Sequence, residues 1–380
     1  MFVETGSPIS RNISNYINSQ ANNQVSSFNS IIGIGNPIID FSTSLEKEDI
    51  QKFNLSFGQT IFCNEQNQSL LDNINSYSIT RKSPGGSIMN TLRVCSWCLN
   101  KDKKKGEKEK EFQNNNIVTM LGAIGDDNLK ESILHSLNIA NVQPLLQIFQ
   151  GQKTSRCGII LNNKEKCLIP DIQASKYLSM EFIKQKEQNI FNHDILLIEG
   201  YYLKENYNVC QYLCEEFKKR NKLIIMNIND AIIVRNYLNE IIAIGNNCDI
   251  IYGNIESIKA LININNPSLQ QIFIAAHKIF SKKNRLLLIN CHNHGVYCSK
   301  YNYQSNKLDI NMQCFPIPLK NEEIKDLIGD GSAFLGGFLA MFLKGNTALQ
   351  QLSTCCKMGY EASNEISKNI GCTFQLSEKS

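Results

Sequence analysis

The chain has 380 residues, 42% of them hydrophobic and 19% charged, a balance that fits a packed globular protein and excludes a disordered or fibrous one. A formal net charge of +4 is too small to argue for nucleic acid. No apolar run approaches the ~20 residues of a membrane span. The 14 cysteines, with no basic-then-apolar leader before them, read as reduced thiols of a cytoplasmic protein. Cys95 and Cys98, Cys210 and Cys214, and the adjacent Cys355 and Cys356 are expected in the core rather than on a metal.

In chain order, residues 1–28 are rich in Asn and Ser and form an N-terminal extension that a partner could order. From Ser30 an apolar run, Ile31-Ile32-Gly33-Ile34-Gly35, predicts a buried strand; a turn at Asn36-Pro37 and the residue Asp40 follow it. Residues 42–80 are more polar and suit a lid, with 150–175 contributing to it. Lys101 to Lys108 belongs to a charged, solvated insertion over about 100–116. Buried strands are predicted at 117–121, 157–161, 195–198, 223–226, 250–252 and 286–289, with helices at 208–220 and 268–280. Strands alternating with helices imply an α/β fold. Its central, mostly parallel sheet is flanked by helices on both faces.

Three glycine loops could carry chemistry. Ser83-Pro84-Gly85-Gly86-Ser87-Ile88-Met89-Asn90 leads into a helix, and paired glycines let a ligand approach the backbone. Gly122-Ala123-Ile124-Gly125-Asp126-Asp127 reads as a strand-to-helix turn. The third, Gly329-Asp330-Gly331-Ser332-Ala333-Phe334-Leu335-Gly336-Gly337-Phe338, runs into an amphipathic segment. Backbone N–H groups at such a helix N-terminus can cradle a phosphate.

Together with Gly35-Asn36-Pro37-Ile38-Ile39-Asp40 and the closing Gly371-Cys372-Thr373-Phe374, these loops resemble the adenosine kinases of the PfkB (ribokinase) family over about residues 31–374. The resemblance implies a ribokinase-like domain over 29–376 with a small β-strand lid. It also implies transfer of the γ-phosphate of ATP to a sugar hydroxyl, with Mg²⁺ bridging the phosphates. By the same resemblance Asp40 would grip ribose hydroxyls, and Asn36, Gly85, Gly86, Ser87 and Asn90 would line the nucleoside pocket.

The resemblance fails on the phosphate side. Where the family ends its anion loop Gly-Ala-Gly-Asp, this chain reads Gly329-Asp330-Gly331-Ser332. Ser332 stands at the position of the catalytic Asp, and a hydroxyl is not a useful base near neutral pH. A positioned base contributes roughly 10²–10⁴-fold, so its loss removes about 3–5 kcal/mol of barrier lowering. Asp330 puts a carboxylate inside the anion loop. After the strand at 250–252, Asn254 is kept but Ser257 replaces the family's Glu. The nucleotide loop reads Asn290-Cys291-His292 with Gly295 following. His292 and His294 show no carboxylate partner in the sequence and are read as loop histidines. Lys166 stands for the lid's Arg and lacks its bidentate fork.

The expected function is therefore an adenosine-kinase-like pseudokinase with lost or strongly reduced phosphoryl transfer. It would bind a nucleoside such as adenosine, or serve as a scaffold through the extension and insertion, with a cytoskeletal or ciliary assembly as one setting. ATP and Mg²⁺ are doubtful ligands and no metal site is certain. The alternative is an active adenosine or sugar kinase with non-standard catalytic residues.

Overall fold

The computed structural model describes residues 28–77, 80–101, 117–162, 165–228, 230–264, 266–280, 285–302, 305–316, 323–347 and 351–374. The expected extension, apart from Phe28, and most of the charged insertion lie outside these residues.

Among the described residues nine strands form the large sheet. Its middle runs Leu286–Asn290, Ile250–Asn254, Leu223–Asn227, Ile195–Glu199, Ser30–Ile34, Ile117–Gly125 and Gln143–Phe149, all parallel. Two antiparallel strands, Val296–Asn302 and Lys307–Cys314, extend one edge. Every strand expected from an apolar run is present, but 156–162 belongs to the lid sheet rather than the large one.

Strand alternation sorts the core into two layers. Ile31, Ile195, Leu197, Ile225 and Tyr252 face the helices Ser87–Asn100, Asp330–Leu343 and Leu352–Ser367. Their neighbours Ile32, Leu196, Ile198, Met226 and Ile251 face Gly200–Lys219, Ile255–Ile262 and Leu269–Ile279. Burial on both faces is why these strands are continuous apolar runs. The helix expected at 208–220 begins earlier, at Gly200, with non-helical backbone at Asn206.

The segment after Gly329 is not amphipathic. Ala333 to Ala340 are all buried, because this helix lies between two others. A Cβ on Gly336 would come within 2.6 Å of the Thr91 carbonyl oxygen, and one on Gly337 within 2.5 Å of that of Met358. Those two glycines set the helix spacing.

A second sheet of five strands covers the carboxyl edge of the first. Its order is Gln59–Thr60, Glu165–Asp171, Arg156–Asn162, Ile38–Ser44 and Arg81–Gly85. This is the lid. It leaves a crevice at the carboxyl ends of the parallel strands, where α/β sheets bind ligands. Polar residues end those strands there: Glu199, Asn227, Asn254 and Asn290. The cysteines named above are buried and unbridged.

Candidate active site

Asp40 lies on the lid strand Ile38–Ser44, paired with Ser83 of the antiparallel strand Arg81–Gly85. A Cβ at Gly85 would sit 2.3 Å from the Asp40 carboxyl atoms, so only glycine leaves the carboxyl its place. Gly86 has φ +89°, a backbone that side chains resist, and a Cβ there would meet the Asn36 carbonyl oxygen at 2.1 Å. The turn aims the helix Ser87–Asn100 at the crevice, with Ser87 and Asn90 on its first turn. Arg93, one turn on, donates to Asn90 Oδ1 at 3.2 Å and to the Cys372 carbonyl at 3.1 Å. Its guanidinium also lies over the Phe374 ring. The closing Gly371-Cys372-Thr373-Phe374 segment thus locks the Asn90 amide, whose oxygen is taken by Arg93.

These residues line a cleft of about 990 Å³, open mouth included. Asn36, Asp40, Gly86, Ser87, Asn90, Lys166, Gly329 and Ser332 all meet in it. Gly85 supports it from behind Asp40. Burial pushes the Asp40 carboxyl up to about 7; Asp326 adds to the rise and Lys166 opposes it.

Several lining residues went unread in the sequence. Phe62, Leu168 and Ile172 supply apolar wall from the lid, and Tyr201, Tyr202 and Asn206 face them from the helix that follows Glu199. Tyr201 donates to Asp230, which Thr60 of the lid also reaches at 3.4 Å. Glu199 ends a buried strand and is 2% exposed. Its Oε1 accepts the Asn36 N–H at 3.3 Å. Burial lifts its carboxyl to about 7, against hydrogen bonds from Asn36, Ser87 and Ile88. An acid directly after an apolar run, at a strand's carboxyl end, was the available signal.

The other half of the cleft centres on Gly329, which caps the helix Asp330–Leu343 with φ +84°. Asp326 holds the approach: its oxygens accept the N–H groups of Ile328 and Gly371, each at 2.8 Å. The Gly331 N–H, a donor suited to an anion, instead meets Asp330 Oδ1 at 2.6 Å. Burial raises the Asp330 carboxyl above the usual range, opposed by Lys166, the Gly331 N–H and His292. Ser332 stands one residue further along the helix, at the cleft wall.

Asn254 and Asn290 are register partners on neighbouring strands, so these two lie side by side. Ser257 is buried; its N–H and Oγ both donate to Asn254 Oδ1, at 2.8 and 2.7 Å. That pair caps the helix Ile255–Ile262. Asn290 Oδ1 accepts the His292 N–H at 2.9 Å. Gly295, at φ +87°, lets the hairpin pass the Cys314 carbonyl, which a Cβ would meet at 2.2 Å. The reading of His292 as lacking a carboxylate partner is corrected: its Nε2 lies 2.8 Å from Glu256 Oε2. The loop after the neighbouring strand brings His292 to Glu256.

Among the described residues no group of three or more His, Cys, Asp or Glu side chains could hold a metal. At the Ser257 position the donors are an alcohol and a carboxamide already bonded to each other. This does not fit a resident Mg²⁺.

The lidded sheet and a glycine-capped helix facing its crevice define a ribokinase-like protein. The pfkB carbohydrate kinase family matches residues 51–379, and the chain belongs to that family. Within it the chain is adenosine-kinase-like. It is 24% identical over 363 residues to an adenosine kinase of Dictyostelium discoideum, covering 92% of this chain and 97% of that one. It is 22% identical over 353 residues to adenosine kinase 2 of Arabidopsis thaliana, covering 90% and 95%. The fold matches the crystal structure of Anopheles gambiae adenosine kinase in complex with P1,P4-di(adenosine-5) tetraphosphate, with a TM-score of 0.78, 21% identity and coverage of 91% and 98%. It also matches adenosine kinase from Schistosoma mansoni in complex with 2-fluoroadenosine, with a TM-score of 0.77, 18% identity and coverage of 92% and 98%. No helix among the described residues is long and apolar enough to cross a membrane.

Proposed function

We propose that this chain binds a purine nucleoside in the cleft and has lost most phosphoryl transfer. The observation that carries the reading is at the anion loop. The Asp330 carboxylate takes the Gly331 N–H, and the next residue, Ser332, offers a hydroxyl where the family's proton acceptor would stand. A phosphate entering there would meet a fixed negative charge, and the sugar hydroxyl would meet no base. The nucleoside half supports the binding part of the reading. Asp40 stands ready for hydroxyl donors, and Asn90 is held by Arg93 with its amide oxygen already engaged.

The relatives named above are adenosine kinases, so adenosine, ATP and Mg²⁺ are the reagents for the test. The variant Ser332→Asp with Asp330→Ala restores a carboxylate and frees the loop. AMP formation should rise at least tenfold over wild type; an unchanged rate would show that the anion loop is not what limits the reaction.

One observation favours the second reading, an active kinase. Asp330 is half-buried beside Lys166 and holds its proton more tightly than an ordinary carboxyl, as a base must. Asp330→Ala alone separates the two: an active enzyme using Asp330 would lose its turnover, whereas the pseudokinase would lose nothing.

A further inference from the structure

Arg93 is buried and stands behind the wall of the cleft rather than on it. A buried guanidinium needs partners, so the ones it has are informative. It donates to Asn90 Oδ1 at 3.2 Å and to the Cys372 carbonyl at 3.1 Å. It lies 5.3 Å from the centre of the Phe374 ring, which in turn stacks on Trp97. The turn that supplies Cys372 is itself fixed. The Gly371 N–H donates to Asp326 at 2.8 Å. Gly371 has φ +68°, and a Cβ there would come within 2.7 Å of Ser83 Oγ. Ser83 is the register partner of Asp40. The turn Gly371 to Phe374 thus backs both sugar-side residues, Asp40 through Ser83 and Asn90 through Arg93.

We infer that Arg93 is a positioning residue: it holds the Asn90 carboxamide so that its N–H, and not its oxygen, is presented to a sugar hydroxyl in the cleft. This deepens the nucleoside reading and rests on it. A guanidinium donates and never accepts, so the amide nitrogen cannot take the place of Oδ1 against it. The two ends of a planar carboxamide point apart. Asn90 lines the cleft, so the nitrogen is the end left for a ligand. Asp40, once ionised, only accepts. A hydroxyl both donates and accepts, so a wall with a fixed donor and an acceptor is suited to the two neighbouring hydroxyls of ribose. A sugar lacking one of them leaves a polar group of the wall unpaired and is rejected.

Calorimetric binding of adenosine, 2′-deoxyadenosine and 3′-deoxyadenosine reads the donor. It is measured at pH 8, above the value of about 7 at which Asp40 loses its proton. Wild type should bind adenosine about tenfold more tightly than at least one deoxynucleoside, roughly the worth of one hydrogen bond. Arg93→Met keeps the length of the side chain and removes its donors, so the amide is free to turn over. Adenosine affinity should then fall while the weaker deoxynucleoside holds its own, narrowing the ratio to about threefold. Arg93→Lys still only donates and should lie nearer wild type than Arg93→Met does; no difference between the two overturns the donor argument. A merely structural Arg93 would weaken all three nucleosides alike. That result, or an unchanged ratio in Arg93→Met, or equal binding of all three to wild type, overturns the inference and leaves the nucleoside reading standing. Absence of binding of all three to wild type at millimolar concentration overturns both. If Arg93→Met does not fold, Phe374→Ala decides, since it removes only the ring against the guanidinium: the ratio should narrow by about twofold, and an unchanged ratio counts against the inference.

Discussion

In the part of the cleft lined by Asp40, Asn36 and Glu199, two carboxyls whose protons burial holds to about pH 7 share the wall. In the neighbouring region, around Gly329 to Ser332 and Asn254 to Ser257, polar atoms face each other. The Gly331 N–H is answered by Asp330, Asn254 by Ser257, and His292 by Glu256. The first arrangement leaves hydrogen-bonding groups at the cleft wall, which is what a binding site is made of. The second spends the same capacity internally on helix caps and loop closure. Both regions belong to one shared fold, and the contrast between them lies in a few side chains.

The largest effect that would break this comparison is at Gly86. Gly86→Ala forces a side chain onto a φ of +89° and into the Asn36 carbonyl. The chain should lose roughly 3 kcal/mol of stability in denaturant unfolding. A loss under about 1 kcal/mol would mean the loop moves aside freely.

Next is Asp40→Asn, which removes the charged acceptor on the lid. Nucleoside affinity by calorimetry should fall roughly 10–100-fold, the range for a hydrogen bond to a charged group. Unchanged affinity would remove Asp40 from the site.

A smaller effect follows from pH. Asp40 and Glu199 hold their protons to about pH 7 when folded, against 3.8 and 4.5 when free. Between those values the native state binds more protons than the unfolded chain, so raising the pH costs stability. Stability measured as wild type minus Asp40→Asn should decline from pH 4 to 8. A flat difference would show an ordinary carboxyl at Asp40. Nucleoside binding should strengthen over the same rise, because the ionised Asp40 accepts from hydroxyls.

Glu256→Gln should do least. Both members of the His292 pair are exposed, and such pairs contribute about 0–1 kcal/mol. Stability should change within that range and nucleoside affinity not at all. A loss of binding would mean that the two halves are coupled.

The fold was legible because strands buried on both faces are written as apolar runs, as at Ile195–Ile198. The pocket loops were legible because glycine is demanded at Gly85 and Gly86 by contacts that admit nothing larger. Other features depend on partners distant in sequence. Glu199 looks like an ordinary strand end until Asn36, 163 residues away, is set against it. His292 meets Glu256 only because their strands are neighbours in the sheet. The helix after Gly329 was misread as amphipathic since periodicity does not reveal a helix packed between two others.

The proposed function has the nucleoside side of the cleft binding while the phosphate side no longer reacts. Adenosine binding by calorimetry and AMP formation with ATP and Mg²⁺, measured on one preparation of wild-type chain, test it most directly. Saturable binding should accompany turnover far below the ~1–100 s⁻¹ of working kinases. Turnover within that range would contradict it.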